Sequence, residues 1–218
     1  MHFADIGQSP DKKDVTYENA QARERTQVLM DIANKEQGIV IGTGNLSEIA
    51  LGWSTFNGEH MSMYSVNSSI PKTLIKSLID WEREHTTNKE LKEVLQVILD
   101  TPISPELLPP SKTGEIAQKT EEKIGSYTLH DFFLYHFFTY GIEPKKLLAI
   151  AQITFKNDFD ATTIKNTLKK FISRFIGNQF KRNSMPDGVK IGTVSLSPRG
   201  DFRMPSDAEC AVWLNALE

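Results

Sequence analysis

The chain has 218 residues, of which 39% are hydrophobic and 24% charged, with a formal net charge of −3. That length holds one good core or two small ones, and the composition counts against whole-chain disorder. The charge balance counts against a strongly basic nucleic-acid binder, and no apolar run approaches the ~20 residues of a membrane span.

One cysteine, Cys210, excludes an internal disulfide framework and a cysteine-based zinc site. The N-terminus lacks the basic and apolar regions of a leader, so a reducing, cytoplasmic setting is expected.

Residues 1–15 are polar and aperiodic and read as a tail or a truncated end. From Thr16, which can cap, the pattern turns helical; Ala20, Val28, Leu29, Ile32 and Ala33 form an apolar stripe up to about Lys35. Gly38-Ile39-Val40-Ile41-Gly42 is a β-branched run between glycines, and predicts a parallel strand buried on both faces. The chain turns at Thr43-Gly44-Asn45 and enters a helix from Leu46 to Leu51. Helix, buried strand, polar turn, helix is the rhythm of a doubly wound α/β fold.

Trp53 to Asn67 reads as a long loop. Ser69 and Pro71 open a helix with Leu74, Ile75, Leu78 and Ile79 toward its core. Asn88 caps another, carrying Leu91, Val94, Leu95, Ile98 and Leu99. Thr101 to Tyr127 contains four prolines and a charged run, and reads as a linker or an ordered excursion.

The second half is helical by pattern. Thr128 caps Leu129 to Tyr140, which ends at Gly141, and Pro144 starts Lys145 to Phe155. Asp160 caps a helix with Ile164, Leu168, Phe171, Ile172 and Phe175, stopped by Gly177. Ser206-Asp-Ala-Glu209 is a capping box for a last helix that takes in Cys210.

Several segments can carry chemistry. In Gly42-Thr43-Gly44-Asn45-Leu46-Ser47-Glu48 the free N–H groups of a strand-to-helix turn suit phosphate, and a carboxylate at Glu48 would need a divalent metal to sit beside it. The same residues also read as an ordinary turn with a surface glutamate. Asn19 and Arg23 are four apart on one helix face, able to hold a carboxylate or phosphate or simply solvated. Lys181-Arg182 reads as a dipole partner at a helix end, and Lys165, Lys169, Lys170 and Arg174 as a solvated basic face. His130 and His136, six apart, read as packing or hydrogen-bonding residues. The aromatic run Phe132 to Tyr140 reads as core or subunit interface.

Taken in order, seven short segments resemble motifs of the synthetase part of glutamine-dependent NAD synthetase. They are Asn-Ala-Gln-Ala-Arg-x-Arg (19–25), Gly-Thr-Gly-Asn-Leu-Ser-Glu (42–48), Leu-Gly-Trp-Ser-Thr-Phe (51–56), Pro-Lys-Thr-Leu (71–74), Thr-Pro-Ile-Ser-Pro-Glu-Leu (101–107), Gln-Phe-Lys-Arg (179–182) and Ser-Pro-Arg-Gly-Asp-Phe-Arg-Met-Pro-Ser-Asp (197–207). The resemblance runs from Asp14 to the C-terminus.

The resemblance implies a reaction: ATP adenylates the nicotinate carboxylate of deamido-NAD, pyrophosphate leaves, and ammonia displaces AMP to give NAD, with Mg2+ helping to hold the pyrophosphate. By the family's pattern Asn19, Arg23, Glu48, Trp53, Ser54, Thr55, Phe56 and Lys181 would bind deamido-NAD. Thr43, Lys72 and Ser104 would contact ATP, and Glu48 would also bind magnesium. Phe56 offers a flat face to the pyridine ring.

The implied fold is the back half of a doubly wound parallel-sheet ATP-pyrophosphatase domain followed by a helical C-terminal module. The expected division is a tail over 1–15, a partial nucleotide-binding domain over 16–108, a linker or excursion over 109–127, and the helical module over 128–218.

Two departures from the family stand out. No Ser-Gly-Gly-x-Asp-Ser pyrophosphate loop occurs in these residues, and no glutaminase cysteine does either, Cys210 lying near the C-terminus. The expectation is a C-terminal piece of a longer enzyme, inactive alone and partnered by upstream glutaminase and phosphate-loop regions. It would be homo-oligomeric, with small-molecule nucleotides as ligands and neither nucleic acid nor membrane as partner. The alternative is a non-catalytic nucleotide-binding or oligomerisation module.

Overall fold

A computed structural model describes residues 2–104 and 120–218. The end of the 101–107 motif, the boundary expected at 108/109 and most of the proline-rich stretch lie outside the described residues. After a one-turn helix α1 (His2–Asp5), Phe3 stacks on Tyr17 with ring centroids 5.4 Å apart.

Helix α2 (Val15–Lys35) is capped by Asp14, not Thr16. The Asp14 carboxylate accepts from the N–H groups of Thr16 and Tyr17, so the threonine already lies inside the helix. Only Ala20, Ala22 and Ala33 are buried, while Val28, Leu29 and Ile32 are exposed. The predicted stripe exists, but most of it meets no core among the described residues.

Strand β1 (Ile41–Gly42) feeds helix α3 (Leu46–Leu51) and pairs in parallel with strand β2 (Tyr64–Ser65), in the register Ile41↔Tyr64 and Gly42↔Ser65. The chain is therefore α/β with a small parallel sheet. The strand predicted over Gly38–Gly42 is shorter than expected and is not buried on both faces: Ile39 is 62% exposed and Ile41 48%. The residues read as a loop hide β2. Gly42 has no room for a side chain, since a Cβ would fall 2.4 Å from the Ser62 hydroxyl.

Helices α4 (Lys72–His85) and α5 (Lys89–Asp100) pack on each other as a hairpin. Asn88 caps α5 as expected, but Pro71 precedes α4 without a side-chain cap. Ser69 instead donates to the Val189 carbonyl at 3.0 Å and accepts from the Ile191 N–H at 2.7 Å. Neither helix buries a residue; Leu74 is 44% exposed and Leu78 49%. Of their predicted apolar faces, Ile75, Ile79, Leu95 and Leu99 are half-buried, while Leu91, Val94 and Ile98 are exposed like Leu74 and Leu78.

The core forms where α3 meets α7 (Tyr127–Tyr140), α8 (Pro144–Thr154) and α9 (Ala161–Gly177), after a short α6 (Thr120–Ile124). Phe133 contacts Phe171 at 5.9 Å between centroids, and Phe137 reaches Phe175 at 5.7 Å and Trp213 at 5.1 Å. Fully burying a side chain such as Phe133 or Phe171 is worth about 1.5–3 kcal/mol. Ser126 caps α7 in place of Thr128, accepting the Thr128 N–H; Gly141 ends the helix at φ 61°, where a glycine carries no Cβ penalty.

Asp160 caps α9 as predicted. The residues after it form α10 (Gln179–Asn183), and the last helix is α11 (Ala211–Asn215). The predicted capping box does not form. Cys210 is the residue before α11, and Ser206 accepts a hydrogen bond from Asn183 at 2.7 Å. Among the described residues no helix is long and apolar enough to cross a membrane.

Candidate functional site

A cleft of about 370 Å³ opens beyond the carboxyl end of β1. The starts of α3 and α4, the segment 52–60, α2 and α9–α10 wall it. Asn19, Thr43, Glu48, Trp53, Ser54, Thr55, Lys72, Ser104 and Lys181 all line it. Arg23 and Phe56, the other two residues singled out from the sequence, are not among its lining.

One wall is built around the first turn of α3. Asn45 accepts the Glu48 N–H at 3.1 Å, and Glu48 Oε2 accepts the Asn45 N–H at 3.2 Å, a reciprocal capping box. Glu48 Oε1 lies 3.3 Å from Lys72 Nζ, and both side chains are 24% exposed. So Glu48 serves the helix and the cleft together.

Behind this pair sits Asp131 on α7. It accepts from the Ser47 hydroxyl, from the Thr73 N–H at 3.0 Å and from the Thr73 hydroxyl at 2.8 Å. Ser47 in turn accepts the Lys72 N–H at 2.8 Å. Burial pushes the Asp131 carboxyl up from its ordinary pKa, against the pull of those Ser47 and Thr73 donors. Sequence reasoning missed Asp131; the available signal was a lone acid within an aromatic helix.

A second wall joins α2 to the 53–60 segment. The Thr55 hydroxyl donates to Asn19 Oδ1 at 2.9 Å, and the Thr55 N–H to Glu59 Oε1 at 2.9 Å. Arg23 donates through Nε to the Phe56 carbonyl at 3.2 Å, bracing the loop from outside the cleft. The Phe56 ring rests on His60 and Phe180, with centroids at 5.6 and 5.4 Å. His60 donates through Nδ1 to the Thr55 carbonyl at 3.0 Å; burial lowers its pKa.

The third wall comes from α9 and α10. Lys181 donates to the carbonyls of Gly52 at 2.8 Å and Ser54 at 2.6 Å. Burial, then the Arg174 charge, lowers its pKa. Arg174 is not a solvated residue: it bonds the carbonyls of Leu51 and Gly52, and its guanidinium lies 4.9 Å from the centre of the Trp53 ring. Nor is Arg182 a surface dipole partner. It is fully buried, donating to the carbonyls of Ala50 at 2.8 Å and of Phe175, and to Gln179 Oε1 at 2.9 Å. Burial brings its pKa down to about 10, so it stays charged at neutral pH.

The histidines of α7 stand apart from this cleft. His130 is buried and donates through Nε2 to the Ile124 carbonyl at 3.0 Å. Among the described residues no group of three or more His, Cys, Asp or Glu is placed to hold a metal. A magnesium ion that travels with phosphates needs only one or two protein carboxylates, and Glu48 supplies one on the cleft wall. Its donor chemistry therefore fits such an ion.

Fold and cleft together define a small-sheet α/β protein with a mixed-charge cleft at a strand end, the usual place for ligands in such sheets. The chain belongs to the NAD synthase family, whose model matches residues 2–184. It is 42% identical over 226 residues to the glutamine-dependent NAD(+) synthetase of Mycobacterium tuberculosis (strain H37Rv), an alignment covering 94% of this chain and 33% of that protein. The Mycobacterium leprae protein of the same description is 40% identical over 225 residues, with the same coverage. The chain thus spans about a third of the length of these relatives. A crystal structure of a glutamine-dependent NAD(+) synthetase from Cytophaga hutchinsonii shares the fold, with a TM-score of 0.73 at 20% identity over all of this chain and 33% of that one.

Proposed function

We propose that this chain is the part of an NAD synthetase that holds ATP against deamido-NAD. What supports the reading is the gathering of Asn19, Thr43, Glu48, Trp53, Ser54, Thr55, Lys72, Ser104 and Lys181 around one cleft in a member of this family. In this proposal the sheet is the back half of a doubly wound ATP-pyrophosphatase domain, followed by a helical C-terminal module. Upstream glutaminase and phosphate-loop regions complete the site, the assembly is homo-oligomeric, and its setting is cytoplasmic.

The chemistry asks for placement and charge stabilisation, not for a protein nucleophile. An oxygen of the nicotinate carboxylate attacks the α-phosphorus of ATP and the bond to pyrophosphate breaks. Ammonia then adds to the activated carboxyl carbon and AMP leaves, giving NAD. Thr43, Lys72 and Ser104 bind the nucleotide, with the Lys72 ammonium on the phosphates. Asn19, Trp53, Ser54, Thr55 and Lys181 bind the dinucleotide, and Arg23 and Phe56 support that side from outside the cleft. Glu48 would hold the magnesium ion, which when bound neutralises phosphate charge.

A second reading, a non-catalytic nucleotide-binding or oligomerisation module, is favoured for these 218 residues alone by their lack of a Ser-Gly-Gly-x-Asp-Ser segment. The experiment supplies deamido-NAD, ATP and magnesium, with either ammonia or glutamine as the nitrogen source, to the polypeptide and in parallel to its fusion behind the N-terminal two thirds of the M. tuberculosis relative. The polypeptide is expected to be slower by about 10³-fold or more, several kcal/mol of lost stabilisation of the leaving group. It should release no glutamate from glutamine. NAD formation by the fusion supports the enzyme reading. A fusion that hydrolyses glutamine yet makes no NAD favours the module.

A further inference from the structure

Three side chains from the end of α9 and from α10 bond the same short piece of backbone. Arg174 donates from Nε to the Leu51 carbonyl at 3.1 Å and from Nη2 to the Gly52 carbonyl at 3.4 Å. Asn178 donates to the Leu51 carbonyl at 3.2 Å. Lys181 donates to the carbonyls of Gly52 at 2.8 Å and Ser54 at 2.6 Å. Arg174 stands in the last turn of α9, Asn178 at the junction of the two helices and Lys181 in α10, and the three converge on this backbone.

The backbone they hold is the end of α3 and the three residues after it. Carbonyls at a helix C-terminus lack partners within the helix and form the negative end of its dipole, so cationic donors suit them. Gly52 reverses the chain there at φ +56°. The Asn178 side chain fills the space beside it, 2.3 Å from where a Cβ would stand.

Trp53 lies within this grip, and the Arg174 guanidinium lies over its ring. Trp53, Ser54 and Thr55 then form the cleft wall. The ATP-side residues Glu48 and Lys72 are tied to Asn45, Ser47 and Asp131 instead. The side chains at the two ends of the cleft thus have different partners, while α3 joins the ends through the Trp53 N–H, which donates to the Glu48 carbonyl at 2.9 Å.

We propose that Arg174 and Asn178 are positioning residues: with Lys181 they clamp the carbonyls of residues 51–54 and so set the shape of the Trp53–Thr55 wall. This rests on the proposed assignment of that wall to deamido-NAD. The clamp acts on the dinucleotide end of the cleft and leaves the ATP end to Asp131.

The test compares Arg174→Met, Arg174→Lys and Asn178→Ala with the wild-type chain by two readouts. The first is hydrogen–deuterium exchange of the amides in residues 53–60, which needs no ligand. Arg174→Met is expected to speed it by about tenfold, roughly the loss of a hydrogen bond to a charged donor, with α7 unchanged. Arg174→Lys, which keeps the charge but not the two-carbonyl fork, recovers part of the protection. The second readout is titration with deamido-NAD and, separately, with ATP. Arg174→Met should weaken deamido-NAD by about tenfold and ATP by less than about twofold.

Unchanged exchange in residues 53–60 overturns the clamp, and so does an equal loss for both ligands. Faster exchange in a chain whose wild type binds ATP but no deamido-NAD supports the clamp and counts against the proposed substrate. If Arg174→Met does not fold, Arg174→Lys and Asn178→Ala carry both readouts, with smaller changes in the same direction expected.

Discussion

Lys72 Nζ stands 3.3 Å from Glu48 Oε1, while the other oxygen of the same carboxylate closes the capping box of α3. One side chain therefore has two separable jobs. Glu48→Gln keeps the box, because glutamine completes it equally well, and removes the charge. The thermal midpoint is expected to fall by less than about 4 °C, since a partly exposed ion pair is worth about 0–1 kcal/mol. The magnesium-dependent gain in ATP affinity is expected to vanish. Calorimetric titration of ATP with and without magnesium checks this, and an unchanged magnesium effect leaves Glu48 with the helix alone.

Gly52 and Asn178 form a second testable pair. Gly52→Ala puts a Cβ on a left-handed residue, at about 1–2 kcal/mol, and drives it into the Asn178 side chain. A total loss of at least about 2 kcal/mol is expected in urea unfolding. Asn178→Gly removes the clash, so the double variant should be more stable than the two single losses predict, by about 0.5–3 kcal/mol. Strict additivity would contradict the contact.

Stability should depend on pH through His130. Burial brings its pKa down to about 4 from the usual 6.5, so the folded chain holds it neutral while the unfolded chain takes up a proton. The contribution is present in full above pH 6.5 and is lost as pH falls toward about 4. The loss at pH 5 is on the order of 2 kcal/mol. His60, whose pKa burial also lowers, works in the same direction. Urea midpoints at pH 7.5 and pH 5 should therefore differ, and His130→Asn should shrink the difference without abolishing it. An equal difference in wild type and variant would contradict the buried neutral imidazole.

What could be read from the sequence was what short-range physics decides. Asp160 before an apolar run that ends at Gly177 marks α9, and Asn88 marks α5, because cap and periodicity act within a turn or two. Periodicity also drew the faces of α2 and α4, but it says nothing of what covers them, and Leu29 and Leu78 are exposed. Strand β2 was illegible because two residues, Tyr64 and Ser65, become a strand only by pairing with a distant partner. Within the site, Thr43, Glu48 and Lys72 were legible as motif residues. Asp131 lay hidden among aromatic residues and Arg174 among lysines; both matter through contacts to backbone far away in sequence.

The most direct measurement is calorimetric titration of deamido-NAD into the wild-type chain and Lys181→Ala at two salt concentrations, with ATP titrated in parallel. Saturable binding of deamido-NAD by the wild type is expected. Lys181→Ala should weaken it by about 1.5–3 kcal/mol, the range for a hydrogen bond to a charged group, with the larger loss at low salt. ATP affinity should change by less than about twofold, because Lys181 lies on the α10 wall and Lys72 on the α4 wall. A wild type that binds no deamido-NAD, or a variant that loses ATP as much as deamido-NAD, would contradict the assignment of this cleft.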